Sequence, residues 1–372
     1  MRAFARRGAY CVAIGATAEV PGFKSRLARE KVVLPDCGQR GVLSEWLIGR
    51  KDLYGGLVIP TGDDVIAELH ANRSTLAPHY RLVLPPGYAC EVALDKDKLA
   101  RVAADAGIPT PRFVGTEGLD GKALDDAAGM GFPVLVKPRY GIDFRRAFQK
   151  KVLVAENPAR LAEVLGECRA RSFDVLVQEM IPDGTGLAAY SAYVDREGEI
   201  AGDYSCRRVA VFPPRFGVGS FLKSERLKQV LESGRRLVRA LNYRGAPIDL
   251  DFAFDVRDGV WKLLDFNARS WRQVSMAPLV GLDVFDMILA DYSGCEVPRG
   301  RKTRWGCYWV YAKDALLARR GYPGESPRFR EYLKALTSPH VFGLFDIADL
   351  RPWFWDLAPL VMRRFQRKRP QE

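Results

Sequence analysis

The chain has 372 residues, 48% of them apolar and 27% charged, which excludes disorder throughout and leaves material for two or three domains. Its 57 Lys and Arg against 45 Asp and Glu give a formal charge of +12, with much of the excess at Arg2, Arg6 and Arg7 and again at Arg363, Arg364, Arg367, Lys368 and Arg369. Basic ends of this kind read as solvated tails, so nucleic-acid binding is not expected, and seven scattered cysteines without a CxxC point to a reducing, cytoplasmic setting and not to a disulfide framework.

The first apolar stretch, Gly8 to Ala18, is closed by Glu19, and no run approaches the roughly 18 residues needed to cross a bilayer. Arg6 and Arg7 ahead of it imitate a signal peptide, but Gly and Tyr interrupt the stretch, and a first buried strand is the expected identity. From Tyr10 to Val92, apolar runs alternate with helical patterns: Tyr10 to Ile14, Lys31 to Leu34, Leu43 to Ile48, Gly56 to Pro60, Val65 to His70 and Tyr80 to Leu84. Short strands separated by helices predict a small parallel sheet. Without a complete GxGxxG, this N-terminal α/β lobe reads as scaffold.

At Asp95 the texture changes. A helix is expected from Asp95 to Ala106, stopped by Gly107, Pro109 and Pro111. A buried strand, Phe132-Pro-Val-Leu-Val-Lys137-Pro138, leads into a basic loop and a strand at Lys151 to Val154. A helix from Pro158 to Arg169 precedes the apolar strand Asp174 to Ile181. After Pro182 the pattern becomes antiparallel, with strands at 187–195 and 200–211, a helix at 225–241 and a hairpin at 247–267. This alternation predicts an α+β body. The expected divisions are 1–94, 95–182, 183–295 and a Trp- and Arg-rich C-terminal extension, 296–372.

The hairpin holds the most chemistry. Leu250, Phe252, Phe254 and Val256 make one face apolar, while Asp249, Asp251 and Asp255 make the other acidic. A three-residue turn, Arg257-Asp258-Gly259, sets Asp251 opposite Asp265, with Asn267 two residues on along the same face. Cross-strand carboxylates about 5 Å apart repel unless a cation lies between them. Two carboxylates and an amide oxygen form a hard-oxygen site suited to Mg²⁺ with phosphate oxygens as further ligands. Taken alone, a solvated acidic face accounts for the same pattern. Lys137 shifts that balance, because a lysine ending a buried Val-Leu-Val run needs a polar partner, and phosphate serves. Beyond it Arg139, Arg145, Arg146, Lys150 and Lys151 are able to cover a polyphosphate or simply to be solvated. Gln178-Glu179-Met180-Ile181 leaves a buried strand where backbone and side chain can meet a purine edge.

In this order, the pieces resemble the ATP-grasp superfamily: Asp95-Lys96 with Gly107 to Pro111, Val134 to Pro138, Leu176 to Pro182, Asp251-Phe252 and Leu263 to Arg269. Arg207-Arg208, Pro213 to Ser220 and Phe345 to Pro352 are similar to the carboxylate-amine ligase subgroup that includes D-aspartate ligase and predicted carboligases. The resemblance covers about residues 95–295 and implies an N-terminal parallel-sheet domain, a two-lobed ATP-grasp body and a C-terminal extension. It implies ATP and Mg²⁺ as cofactors, with Lys96 and Lys137 on ATP phosphates and Gln178, Glu179 and the backbone of Ile181 on adenine. Asp183 stands in the segment where relatives place a ribose ligand. Asp251, Asp265 and Asn267 would bind magnesium, Arg269 would stabilise charge in the acyl-phosphate step, and Arg207 and Arg208 would orient the substrate carboxylate.

The implied activity joins a carboxylate to an amine, both small molecules, through an acyl phosphate, with release of ADP and phosphate; the basic surface favours anionic substrates. An alternative uses another nucleophile, such as a thiol. Another is a non-catalytic nucleotide-binding or peripheral-membrane module, because Trp353, Phe354, Trp355, Leu357 and Leu360 precede a basic cluster. Packing of those aromatics on the body is the favoured reading, and the joint presence of Lys137, Asp265, Asn267 and Arg269 favours an enzyme. Departures from the family pattern are the shorter acids Asp251 and Asp265, a phosphate-covering loop poor in glycine, and Ala268 in place of a common proline.

Overall fold

The structure is a computed structural model that describes residues 1–115, 127, 129–182, 186–299, 302–322, 326–327 and 329–366. A first helical turn, α1 (Arg2–Arg6), leads into β1 (Val12–Gly15), β2 (Glu30–Val33), β3 (Leu57–Val58), helix α2 (Asp63–Ala71) and β4 (Arg81–Leu82). The strands are parallel as expected, but β1 pairs with β2 and β3 with β4 in two separate ladders and not in one sheet. Pro60 and Pro85, which lack an N–H, stand close after β3 and β4, and those strands are two residues long.

Helix α3 (Lys96–Asp105) starts where the Asp95 carboxylate accepts from the backbone N–H groups of Asp97 (3.1 Å) and Lys98 (3.3 Å). A four-stranded antiparallel sheet follows, ordered β5 (Phe113–Val114), β8 (Val175–Glu179), β6 (Val134–Pro138), β7 (Leu153–Ala155). The segment expected as a basic loop after β6 contains a helix, α4 (Gly141–Phe148). Phe144 and Phe148, one turn apart, bury against each other and Phe173, a helical period hidden between the charges. Helix α5 (Pro158–Ala170) backs this small sheet through Leu161, Val164, Leu165 and Cys168.

The larger sheet has seven strands among the described residues, ordered β13-β12-β9-β10-β11-β14-β15. These are β9 (Leu187–Val194), β10 (Ile200–Phe212), β11 (Val218–Ser224), β12 (Ala246–Asp255), β13 (Val260–Asn267), β14 (Tyr308–Val310) and β15 (His340–Phe342). All its pairings are antiparallel except β14 with β15. β11 is absent from the sequence reading, its alternation obscured by Gly217 and Gly219. Helix α6 (Lys228–Ala240) packs on one face, where Gly234 makes room for the ring of Tyr190: a Cβ there would lie 2.4 Å from it. Helix α7 (Val284–Tyr292) covers part of the other face.

The segment after residue 296 is thus built into the sheet through β14 and β15 as well as extending from it. Its last helix, α8 (Arg351–Gln366), lies against the N-terminal region: Asp349, just ahead of it, accepts from Arg2 Nε (3.0 Å) and from Ser25 Oγ (2.5 Å). Trp353 meets Phe345 edge-on with centroids 5.4 Å apart, and Lys24 sits over the Trp355 ring. That packing occupies part of the aromatic run, while Phe354 stays 59% exposed. Among the described residues no helix is long and apolar enough to cross a membrane.

Candidate active site

A cleft of about 750 Å³ separates the small sheet from the face of the large one that presents Asp249, Asp251, Asp265 and Asn267. The hairpin puts them there by an unexpected route. Asp255 pairs with Val260, so the turn has four residues, Val256 to Gly259, and not three. Gly259 closes it at φ +71°. One extra residue on β13, Leu264, then bulges between the pairs Phe252–Leu263 and Asp251–Asp265. The bulge restores the expected register, with Asp251 opposite Asp265 and Asp249 opposite Asn267.

Each hairpin acid has a fixed partner. Arg208 on β10 pairs with Asp251, and Lys96 Nζ lies 3.2 Å from Asp265 Oδ1. Asp249 accepts from Ser191 Oγ at 2.6 Å. Burial, and next the charge of Asp251, pushes the Asp249 carboxyl up to about 7. Burial works to raise Asp265 as well, but Lys96 and Lys137 hold it below its ordinary value. Asp249 lines the cleft, and the sequence reading placed it on the acidic face without assigning it a role. Its alternation with Asp251 was the available signal.

Lys96 is the first residue of α3, held by the Asp95 cap, which also accepts from Arg139 Nε (2.9 Å) and Tyr140 (3.2 Å) at the end of β6. Lys98 turns outward to Glu91 (2.5 Å), so Lys96 is the lysine that faces the cleft. Lys137, on β6, lines the same space without a hydrogen-bond or ion-pair partner among the described residues. Burial, then the neighbouring charge of Lys96, lowers it to about 8. Arg145 of α4 and Lys151, the latter lowered by burial and Arg145, complete this basic wall.

Gln178, Glu179 and Ile181 line the cleft where β8 ends, and the Gln178 Oε1 is buried without a partner. The side chain of Glu179, a residue expected at the adenine, is committed inside the protein. Its Oε1 accepts from the Arg112 N–H (2.9 Å) and Lys262 Nζ (3.2 Å), and its Oε2 from Arg112 Nε (3.1 Å) and Arg257 Nη2 (3.2 Å). Four donors fill the carboxylate's capacity, and the Glu179 N–H itself donates to Arg112 O (2.8 Å), so neither group is left for a ligand. Asp183 lies outside the described residues.

Arg207 also departs from its expected role. Neighbours on a strand point to opposite faces, and Arg207 turns away from the cleft to Glu225 (3.1 and 3.0 Å) and the Trp261 ring. Arg208 alone of the pair enters the cleft, with its Nε buried and unpartnered. Arg269 donates from Nε to Asp63 Oδ1 (2.7 Å) and from Nη2 to Asn267 Oδ1 (3.0 Å). Asp63 opens α2, so the N-terminal lobe contributes a residue to the cleft and is more than scaffold; nothing in the sequence around it marked that role.

Among the described residues no three His, Cys, Asp or Glu side chains form a metal-holding group by themselves. Asp251, Asp265 and the Asn267 amide oxygen nonetheless fit Mg²⁺, which takes one or two carboxylates and completes its shell with water and phosphate oxygens. A second groove of about 500 Å³, lined by Arg226, Lys228 and Trp305, has its Asp203 committed to Arg235 (2.7 Å). The chemistry is concentrated in the larger cleft.

No family model matches the chain. Among characterised proteins, D-aspartate ligase of Enterococcus faecium is 21% identical over 245 residues, covering 63% of this chain and 58% of that enzyme. The large chain of carbamoyl phosphate synthase from Halobacterium salinarum is 26% identical over 268 residues, covering 66% of this chain and 24% of that one. The chain therefore spans less than two thirds of either relative. Among solved structures, the biotin carboxylase domain of the Hydrogenobacter thermophilus 2-oxoglutarate carboxylase, in complex with MgADP, ADP and bicarbonate, superposes with a TM-score of 0.65 at 18% identity, covering 82% of this chain and 69% of that chain. The N5-carboxyaminoimidazole ribonucleotide synthetase of Thermus thermophilus gives 0.60 at 15% identity, covering 82% and 78%. The fold is the ATP-grasp fold that the motifs resemble.

Proposed function

We propose that this protein is an ATP-dependent ligase that phosphorylates a carboxylate to an acyl phosphate and transfers the acyl group to an amine. The observation that carries the reading is the opposition, across one cleft, of the Asp251–Asp265–Asn267 oxygen set and the cations Lys137, Arg145 and Lys151, which have no ion-pair partner among the described residues. A magnesium polyphosphate satisfies both walls at once. The kinship with D-aspartate ligase and the nucleotide complex of the biotin carboxylase neighbour support the same assignment.

The residues divide the work. Lys96 and Lys137 bind phosphates, Gln178 with the backbone of Ile181 receives adenine, and Asp251, Asp265 and Asn267 would hold Mg²⁺, which neutralises phosphate charge. Arg208, oriented by Asp251, offers its guanidinium charge to the substrate carboxylate. A carboxylate oxygen attacks the γ-phosphorus and ADP leaves. The amine then attacks the acyl carbon, phosphate leaves with the former carboxylate oxygen, and the amine's surplus proton passes to solvent. Arg269, steadied by Asp63 and Asn267, stabilises the negative charge that grows in both steps. The two sheets enclose the cleft, so closure would shield the acyl phosphate from water. The surrounding Arg208, Arg269 and Arg272 favour anionic substrates.

Calorimetric titration of MgATP into the wild type and Asp265→Ala tests the nucleotide half. Binding should require magnesium and weaken in the variant; absence of binding by the folded wild type would sink the reading. Trapping an acyl hydroxamate with hydroxylamine, during a screen of carboxylic acids for ADP release, tests the second half.

A further inference from the structure

Behind Glu179 on the cleft wall, three cations and three carboxylates form a charge-balanced cluster around Lys262. Its Nζ lies 2.8 Å from Asp255 Oδ2, 3.0 Å from Asp258 Oδ2 and 3.2 Å from Glu179 Oε1, and the residue is 8% exposed. Arg257 bridges Asp255 (2.8 Å) and Glu179 (3.2 Å), and Arg112 closes the other side of Glu179. The members come from three places: Glu179 ends β8, Arg112 precedes β5, and the rest belong to the β12–β13 hairpin around its turn. The cluster therefore ties the turn of the large sheet to the strand end of the small one. Two backbone bonds run alongside it, from Leu263 N–H to Pro109 O and from Phe254 N–H to Gly186 O, both 2.8 Å.

Lysine is costly to bury and is tolerated here because three carboxylates neutralise and saturate it. Neither its charge nor those of its partners is left over for a ligand. The consequence is geometric. Glu179 is clamped by four donors, so the backbone on either side of it, Gln178 to Ile181, is held in one place against the large sheet.

We propose that Lys262, with Arg112, Arg257 and Asp255, forms a positioning set that fixes the Gln178–Ile181 backbone for recognition of an adenine base, which rests on the nucleotide reading above. None of the four touches nucleotide. They act through Glu179, and their loss should affect the base and leave the phosphates.

The test compares MgATP with magnesium tripolyphosphate, which has the charge but no base, titrated directly or by displacement of MgATP. Lys262→Met and Arg112→Gln should each weaken MgATP by about tenfold or more while changing tripolyphosphate by less than about twofold. Lys262→Arg should restore most of the MgATP affinity. Asp265→Ala, in contrast, should weaken both ligands. Arg112 is 57% exposed in its side chain, so its variant decides the matter if Lys262→Met does not fold. Variants that bind MgATP as the wild type does, or that lose both ligands equally, overturn the proposal. A wild type that binds no MgATP overturns the nucleotide reading and this inference with it.

Discussion

Replacing Lys137 with Met should make the protein more stable and less able to bind MgATP. The side chain ends β6 in a cleft where it has no partner among the described residues, and its pKa falls from 10.5 to about 8. At about 1.36 kcal/mol per unit, the shift corresponds to a penalty of about 3 kcal/mol for the charged form. The side chain keeps partial contact with solvent, which screens the effect, so about 1–2 kcal/mol is the expected gain. Methionine keeps the aliphatic volume and removes the charge. The sign follows from the direction of the shift. A lowered lysine destabilises the fold in full below about pH 8, and the penalty fades as pH rises toward 10.5, where the unfolded chain also loses the proton. Urea unfolding of both proteins at pH 7 and pH 10 measures this, and the stability gap should narrow at the higher pH. Calorimetry should show MgATP binding weakened by about tenfold or more, the loss of one charge-assisted phosphate contact. A variant less stable than the wild type at pH 7, or one that binds MgATP equally well, would refute the assignment of Lys137 as a strained cation reserved for phosphate.

The adjacent arginines of β10 offer a second comparison. Arg208→Ala strips Asp251, a half-buried carboxylate on the cleft wall, of its cation and should cost about 1.5–3 kcal/mol. Arg207→Ala removes a half-exposed pair with Glu225 and should cost under about 1 kcal/mol, without changing MgATP binding. Equal losses in urea unfolding would contradict the opposed facing of the two side chains. Acid should act through the Lys262 cluster. The Asp255 carboxyl is held low chiefly by its bonds to Arg257, and Glu179 is held low, against the effect of burial, by Arg112 and Lys262. Depressed carboxylates contribute stability above about pH 4 that is lost as pH falls through their folded values. Asp255→Asn should flatten that decline in acid unfolding, and an unchanged slope would show that the cluster contributes nothing.

Much of the fold was legible because its period-2 and period-3.6 patterns were strong. β6, β8, β9 and β10 and helices α3, α5 and α6 fall within a few residues of their expected positions. Failures occurred where two signals overlapped. In α4 the run of charges masked Phe144 and Phe148, and a helix read as a loop. In β11 Gly219, with Gly217 just ahead of the strand, erased the alternation. Asp63 was out of reach for a different reason, since it meets Arg269 across 206 residues of sequence and only the docking of α2 brings them together.

The hairpin and Glu179 show how a motif can be right about place and wrong about means. Asp251 faces Asp265 only because a turn one residue longer than expected is offset by a bulge at Leu264. Neither feature has a sequence signature as strong as the alternation itself, yet either alone would set Asp251 against the wrong residue. Glu179 likewise sits beside the cleft where the motif puts it, but its carboxylate is spent on Arg112, Arg257 and Lys262. Residue identity at a motif position constrains which backbone lies there. What the side chain does depends on how many donors the rest of the fold has aimed at it, and for Glu179 that count makes it an anchor and its neighbours the ligand-facing atoms.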